Sequence, residues 1–256
     1  MTGISAKIIE DSIWRGNRLT TLLCRYHRFI HPQVLTHCVF SRNSASSRAI
    51  PTGKLLKQEI AFPTKFGINR SGMSAQEYLS GDKLEECISD WEKCHEDMVW
   101  WVNHFQSKYN LHKQTVNRLL EPFLYIETLI TTTEWDNFFA LRIDDAQPEM
   151  MALARAIHSA RSESSPVERS VHMPFGGEEK DPKLAIARCA RLSYLNHFGE
   201  YSLESDYAIY NKLLNSGHMS PFEHVATAAD NEVDSERYFF KLKGWKSQRW
   251  SLENAR

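Results

Sequence analysis

Apolar residues concentrate in two short runs near the start, Ala6–Trp14 and Leu19–Tyr26, separated by the turn signal Arg15-Gly16-Asn17. Runs of this length bounded by a glycine turn predict two strands. A basic cluster, His27, Arg28 and His31, enters a helix predicted over His31–His37, with Pro32 in the first turn, where its missing N–H costs nothing. Pro51–Gly72 carries prolines at 51 and 63 and glycines at 53, 67 and 72, and reads as a connector or a lid. The period then changes. Trp91, Met98, Trp101, Val102 and Phe105 recur at three- and four-residue steps, predicting a helix over Ser74–Tyr109 with Ser74 and Glu77 as its capping box. The stripe suits a core or a subunit interface. Leu111–Ile130 reads as further helix broken near Pro122, and Trp135–Ala160 as the next, broken at Pro148. Arg161–Pro182 has the composition of a linker. Pro182–Tyr194 and Ser205–Asn215 read as helices, and the aromatic, basic tail Arg237–Trp250 as a packed end or a stacking surface for single-stranded nucleic acid.

Composition narrows the function. With 256 residues, a net charge of −1 and a pI of about 6.8, the chain has core enough for one α/β domain but no global field to attract nucleic acid. Five cysteines, an odd number without Cys-x-x-Cys spacing, predict reduced thiols in a cytoplasm. Cys94-His95 beside His104 fits no standard zinc spacing, so no metal is expected. No apolar run is long enough to span a bilayer, and no Gly-x-Gly-x-x-Gly follows a strand.

Chemistry concentrates in Thr36–Pro51. Ser41, Asn43, Ser44, Ser46 and Ser47 lie within seven residues, with Arg42 among them and Arg48 closing the run. Short hydroxyl and amide side chains favour turns and caps, and arginine offers a planar fork to phosphate or carboxylate. The stretch is expected to be a loop held by the preceding helix. His37, Ser41, Asn43, Ser46 and Arg48 fall where the signature of flavin-dependent thymidylate synthases has His, Ser, Asn, Ser and Arg. Arg118-Leu-Leu-Glu-Pro122 is similar to that family's Arg-x-x-Leu-Pro block. Asn137-Phe-Phe-Ala-Leu-Arg142 with Ala146-Gln147-Pro148-Glu149 resembles its Asn-x-Leu-x-Leu-Arg block. Gly217-His218-Met219-Ser220-Pro221-Phe222-Glu223-His224 resembles its Gly-His-x-Ser-Pro-Phe-Glu-His, preceded by a matching helix, Ala187–Tyr194. In the family this block precedes the serine-rich loop; here it follows, the pattern of a circular permutation.

The resemblance implies the family's α/β (α+β) fold in permuted order. One domain, 1–256, would divide into a nucleotide and flavin loop with helical core (1–160), a linker (161–182) and a permuted segment (183–256). It implies transfer of a one-carbon unit from methylenetetrahydrofolate to C5 of a deoxypyrimidine monophosphate, with FAD as cofactor and NADPH as reductant. The simplest case forms dTMP from dUMP, and hydroxymethylation of dCMP or dUMP is the alternative. The enzyme would be a cytoplasmic homotetramer, in a host cytoplasm if phage-encoded. By matching position, Arg142 and Ser46 are catalytic, and Gln33, Ser46, Ser47, Arg48, Arg118 and Arg142 hold the nucleotide. His37, Ser41, Asn43, Asn137, His218, Ser220 and Glu223 hold the flavin. Thr36, Cys38 and Thr133 stand where the family has arginines, which is expected to weaken the grip on pyrophosphate and phosphate unless Arg25, Arg28 and Arg42 substitute, and Ser44 replaces a frequent Glu. A different class also remains open, a binding protein that holds a nucleotide or RNA on this scaffold without catalysis.

Overall fold

β1 (Ser5–Trp14) and β2 (Asn17–His27) form the antiparallel hairpin that the first apolar runs predict. Arg15 and Gly16 both take positive φ, 48° and 79°, the twist that lets a two-residue turn join right-twisted strands. The computed structural model describes residues 3–196, 199 and 202–255, in which helices and strands mix as an α+β fold. After α1 (His31–Leu35) the chain returns as β3 (Ser41–Ser44), so the polar stretch expected to be a loop contains an edge strand. β3 pairs with β4 (Tyr125–Thr132), and β4 corrects the helix expected over Leu111–Ile130. Tyr125–Thr132 is β-branched and aromatic, which suits a strand. Almost every side chain in it is buried, so the run lacks the alternation that marks a half-exposed strand.

Between β3 and β4 lie α2 (Thr52–Leu55), the long α3 (Asp82–Tyr109) and the short α4 (Lys113–Val116). The segment before α3 is tied down, with Ala61 N–H donating to Phe123 O and Thr64 N–H to the Glu149 carboxylate at 2.6 Å. Residues 61–64 are thereby anchored, while residues 67–74 are exposed. Helix α3 starts eight residues later than expected. Ser74 and Glu77 lie in a narrow loop where Ile68 N–H donates to Glu77 O and Leu79 N–H to Phe66 O. The close approach at Gly67 leaves no room for a Cβ, which would sit 2.4 Å from Ala75 Cβ. Of the apolar stripe on α3, Val102 is fully buried, whereas Trp101 and its neighbour Trp100 remain exposed.

α5 (Asp136–Arg142) and α6 (Pro148–Glu163) follow, broken near Pro148 as the sequence predicts. The expected linker 161–182 is structured instead: α6 runs into it, and β5 (Val167–Glu168) and β6 (Val171–His172) each find a strand to pair with. Then come α7 (Pro182–Arg191), capped by Asp181, and α8 (Leu203–Asn215), capped by Ser202. After a 3₁₀ turn over Ser220–Glu223, the chain ends in β7 (Ala226–Ala228), α9 (Glu232–Ser235), β8 (Tyr238–Phe239), β9 (Leu242–Lys243), β10 (Trp245–Ser247) and α10 (Gln248–Asn254). The main sheet has the order β3-β4-β2-β1-β5, and a second sheet the order β10-β7-β6. Successive residues on β2 face opposite layers. Leu22 packs with Met150, Leu153 and Ile157 of α6, while Leu23 packs with Cys189 and Leu192. Trp245 is buried and donates to Asn17 O, so the tail is a packed end.

A buried chain of polar side chains joins the two sheets. Ser12 Oγ contacts His172 Nδ1 (2.8 Å), and His172 Nε2 contacts Thr21 Oγ1 (2.7 Å). Thr21 Oγ1 meets Thr131 Oγ1 (2.6 Å), which meets His224 Nδ1 (2.7 Å). Buried polar groups are tolerated when partnered in this way; at the end of this polar chain His224 Nε2 is buried without a partner among the described residues.

Candidate functional site

Strand β3 sets the alternation at the site. Ser41 and Asn43 are buried, and Asn43 Nδ2 donates to Cys189 O at 2.7 Å, fastening β3 to α7. Arg42 lies on the other side and donates to Leu35 O (2.6 Å) and Val34 O (3.3 Å). Beyond the strand the backbone winds around Ser46. Its N–H donates to Ser193 O, and its carbonyl accepts from Ala49 and Ile50. Ser47 turns inward, where its hydroxyl donates to Glu121 and its carbonyl accepts from Asn117 Nδ2, both at 2.7 Å. The Ser46 hydroxyl makes no hydrogen bond among the described residues.

This loop forms one wall of a cleft of about 640 Å³, whose other walls are α7, α8 and the segment through His218 and Pro221. Asn43, Ser46, Arg48 and His218 thus meet in one cleft, although His218 follows Arg48 by 170 residues (218 − 48). No Asp or Glu lines the cleft among the described residues, so its polarity is cationic and amide-like. Sequence reasoning missed three of its lining residues, Arg191, Tyr194 and Lys212. Lys212 was legible only as one position on the face that Ile209, Lys212 and Leu213 of α8 share with the cap residue Ser216. Arg191 is buried and ion-paired with Asp206 at 2.7 Å.

The remaining expected residues lie elsewhere. Glu223 is surrounded by Lys241 (3.0 Å), Arg249 (2.7 Å) and the Ser41 hydroxyl. Burial alone would raise its carboxyl pKa; these partners outweigh burial and hold it below the usual range. A pocket of about 170 Å³ borders this cluster, which ties β3 to the C-terminal segment. Ser220 is half-buried at the start of the 3₁₀ turn. His37 is buried, and its Nε2 accepts from Arg142 Nε at 3.2 Å. Burial, then the cations Arg142 and Arg42, push the imidazole pKa down, so His37 is neutral near pH 7 with its proton on Nδ1. Arg142 Nη1 and Nη2 make no hydrogen bond among the described residues. Gln33 donates to Gln147 (2.6 Å), and Asn137 is exposed on α5. Arg118 is exposed and ion-paired with Glu121 at 2.7 Å.

Arg25, Arg28 and Arg42, the cations that could stand in for the missing arginines, are each engaged within this chain. Arg25 donates to Gly3 O and pairs with Glu59, and Arg28 pairs with Glu121 at 3.0 Å. Together with the carbonyl contacts of Arg42, this commits all three to the fold. Thr133, in a third arginine position, accepts from Lys243 N–H at 3.0 Å.

No protein-family model matches the chain, and no curated protein matches it in sequence. Among solved structures, the chain is similar to the UMP/dUMP methylase PolB from Streptomyces cacaoi bound with 5-Br dUMP. The TM-score is 0.50 at 14% identity, covering 64% of this chain and 91% of that one. The same methylase bound with 5-Br UMP gives 0.48 at 14%, covering 64% and 90%. At this identity the likeness speaks for the fold.

Proposed function

We propose that this chain is a flavin-dependent enzyme that transfers a one-carbon unit to C5 of a deoxypyrimidine monophosphate, forming dTMP from dUMP. The observation that carries the reading is the cleft. Two segments far apart in sequence, each resembling a block of the flavin-dependent thymidylate synthases, converge there with a free hydroxyl and cations. The similarity in fold to a methylase of UMP and dUMP supports it.

The residues present fit a phosphate-bearing cofactor, because the cleft offers cations and hydroxyls with no carboxylate among its described lining residues. FAD, when bound, supplies the redox chemistry, with NADPH as reductant and methylenetetrahydrofolate as one-carbon donor. His218 and Asn43, whose amide nitrogen is committed to Cys189 O, would hold it, Asn43 through its carbonyl oxygen. Ser46 and Arg48 hold the nucleotide and orient its ring. Arg142 polarises the ring carbonyls as charge develops on them. Its Nε donation to neutral His37 fixes the guanidinium and leaves the other two nitrogens for the ring. Arg142 and His37 do not line the cleft of their own chain, and in this reading a second copy in a homotetramer supplies them. Exposed Trp100, Trp101 and Tyr109 on α3 support such a subunit face.

A second reading, hydroxymethylation of dCMP or dUMP, is favoured by one observation. Thr36 and Cys38, beside His37, are small and exposed, which leaves room for water. Purified protein separates the readings. A yellow protein that bleaches with dithionite and converts dUMP to a product of dTMP mass supports the proposal. A C5 hydroxymethyl group labelled from ¹⁸O-water replaces it with the second reading. A colourless protein that takes up no FAD leaves only a binding role.

A further inference from the structure

We infer that Lys212, on α8, is the second phosphate anchor of the cleft, acting with Arg48 to select a nucleoside monophosphate over the free nucleoside. The inference rests on the nucleotide-binding reading above and adds a residue that no matched sequence block contains.

The charges lining the cleft single it out. Arg48, Arg191, Lys212 and His218 line it, and no carboxylate does among the described residues. Arg191 is ion-paired with the fully buried Asp206, which also pairs with Arg188 at 3.0 Å, and Glu179 on Arg188 at 3.4 Å brings the group of two arginines and two carboxylates to balance. Arg48 and Lys212 make no side-chain hydrogen bond or ion pair among the described residues. A phosphate monoester carries close to two negative charges at pH 7. One arginine neutralises half of that, and the cations expected nearby are absent or committed: Thr36, Cys38 and Thr133 replace arginines, and Arg25, Arg28 and Arg42 are held elsewhere. Lys212 supplies the missing charge.

A lysine on an exposed helix ordinarily means only solvation. Here the helix face decides. Ile209, Lys212, Leu213 and Ser216 are spaced i, i+3, i+4 and i+7 and all line the cleft, so the lysine stem belongs to its wall. The ion pairs from Asp206 to α7 fix α8 against the opposite side of the same wall, which presents the ammonium from a rigid element.

The test titrates the full-length FAD-loaded protein, with no reductant or folate, with dUMP and with deoxyuridine. It compares the wild type with Lys212→Gln and Lys212→Arg, and thermal melts establish that each variant is folded. Lys212→Gln is expected to weaken dUMP about tenfold to a hundredfold while leaving deoxyuridine unchanged, and Lys212→Arg to stay within about threefold of wild type. The gain in dUMP affinity as pH rises through the second phosphate ionisation, near ~6, should shrink in Lys212→Gln. Unchanged dUMP affinity, or equal loss for nucleotide and nucleoside, overturns the assignment of Lys212 alone. Wild-type protein that binds neither compound overturns the nucleotide-binding reading as well.

Discussion

Two polar regions of the molecule use the same residue types to opposite ends. In the joint between the sheets, Ser12, His172, Thr21, Thr131 and His224 form one buried chain of contacts between 2.6 and 2.8 Å. When each threonine hydroxyl donates one of its two bonds and accepts the other, the bonds run in a single direction and the tautomers of the two histidines are coupled. In the cleft, Ser46, Arg48, Lys212 and His218 are held in place by their backbones or helices, and their polar ends make no hydrogen bond among the described residues. The difference teaches how to read polar side chains in this fold. Where they satisfy one another they hold sheets together, and where the backbone is satisfied without them they are available to a ligand.

Acid should break this contrast first, and with the largest effect. Burial, then His224 and Arg169, push His172 down to about 3. Burial pushes His224 down to about 4 against an opposing Glu223, with Lys241 adding a smaller downward push. Both are neutral in the folded protein while their unfolded counterparts titrate near 6.5. As pH falls below 6.5 the unfolded chain takes up protons that the folded chain refuses, so stability is lost until the folded values are reached. At about 1.4 kcal/mol per pKa unit, the two together amount to several kcal/mol. Urea unfolding at pH 7 and pH 4.5 measures this, and equal midpoints would show that the joint does not exclude the proton. Next in size, Thr131→Val leaves Thr21 and His224 each short of a partner and should cost about 2–4 kcal/mol by the same method. A loss below about 1 kcal/mol would mean that water or a rearrangement replaces the chain.

The two regions were also unequally legible in the sequence. The cleft loop and the Gly217–His224 segment stood out because unusual residues cluster there at fixed spacing. The joint was invisible, since Ser12, Thr21 and Thr131 are ordinary strand residues whose meeting depends on register: Thr21 pairs with Thr131 across β2 and β4. The same limit hid β4 itself. A central strand buried on both faces has no period to separate it from a buried helix, and the helical pattern before Pro122 extended over it. The start of α3 was misplaced because Ser74 and Glu77 satisfy a capping rule locally, while the pairing of residues 66–68 with 77–79 is a longer-range choice. Lys212 carried no signal of its own, and only the walls around it give it meaning.

On the cleft side the comparison sharpens with Arg48→Ala. The guanidinium is exposed and without a protein partner among the described residues, so its loss should leave thermal stability within about 0.5 kcal/mol. Nucleotide affinity should fall about tenfold to a hundredfold, the typical loss of a charge-assisted contact. Parallel melts and dUMP titrations provide both numbers. Loss of stability without loss of affinity would move Arg48 from the ligand to the fold.

The smallest expected effect belongs to Ser46→Ala, and it is the most discriminating because serine is the residue type both regions share. The shape of the loop at Ser46 comes from its backbone, which donates to Ser193 O and accepts from Ala49 and Ile50 at 2.9–3.0 Å. None of these bonds needs the hydroxyl. Its removal should therefore change stability by less than about 0.5 kcal/mol, in contrast to Ser47, whose buried hydroxyl bonds Glu121. A neutral hydrogen bond to a ligand contributes about 0.5–1.5 kcal/mol, so dUMP affinity should fall roughly twofold to tenfold, less than for Arg48→Ala. Ser47→Ala supplies the control: about 0.5–1.5 kcal/mol of stability lost, because a hydrogen bond from a buried hydroxyl to Glu121 disappears while Arg28 and Arg118 still pair with that carboxylate. If Ser46→Ala destabilised the protein as much as Ser47→Ala, the hydroxyl at 46 would be serving the fold, and the division between satisfied joint and open cleft would fail at its centre.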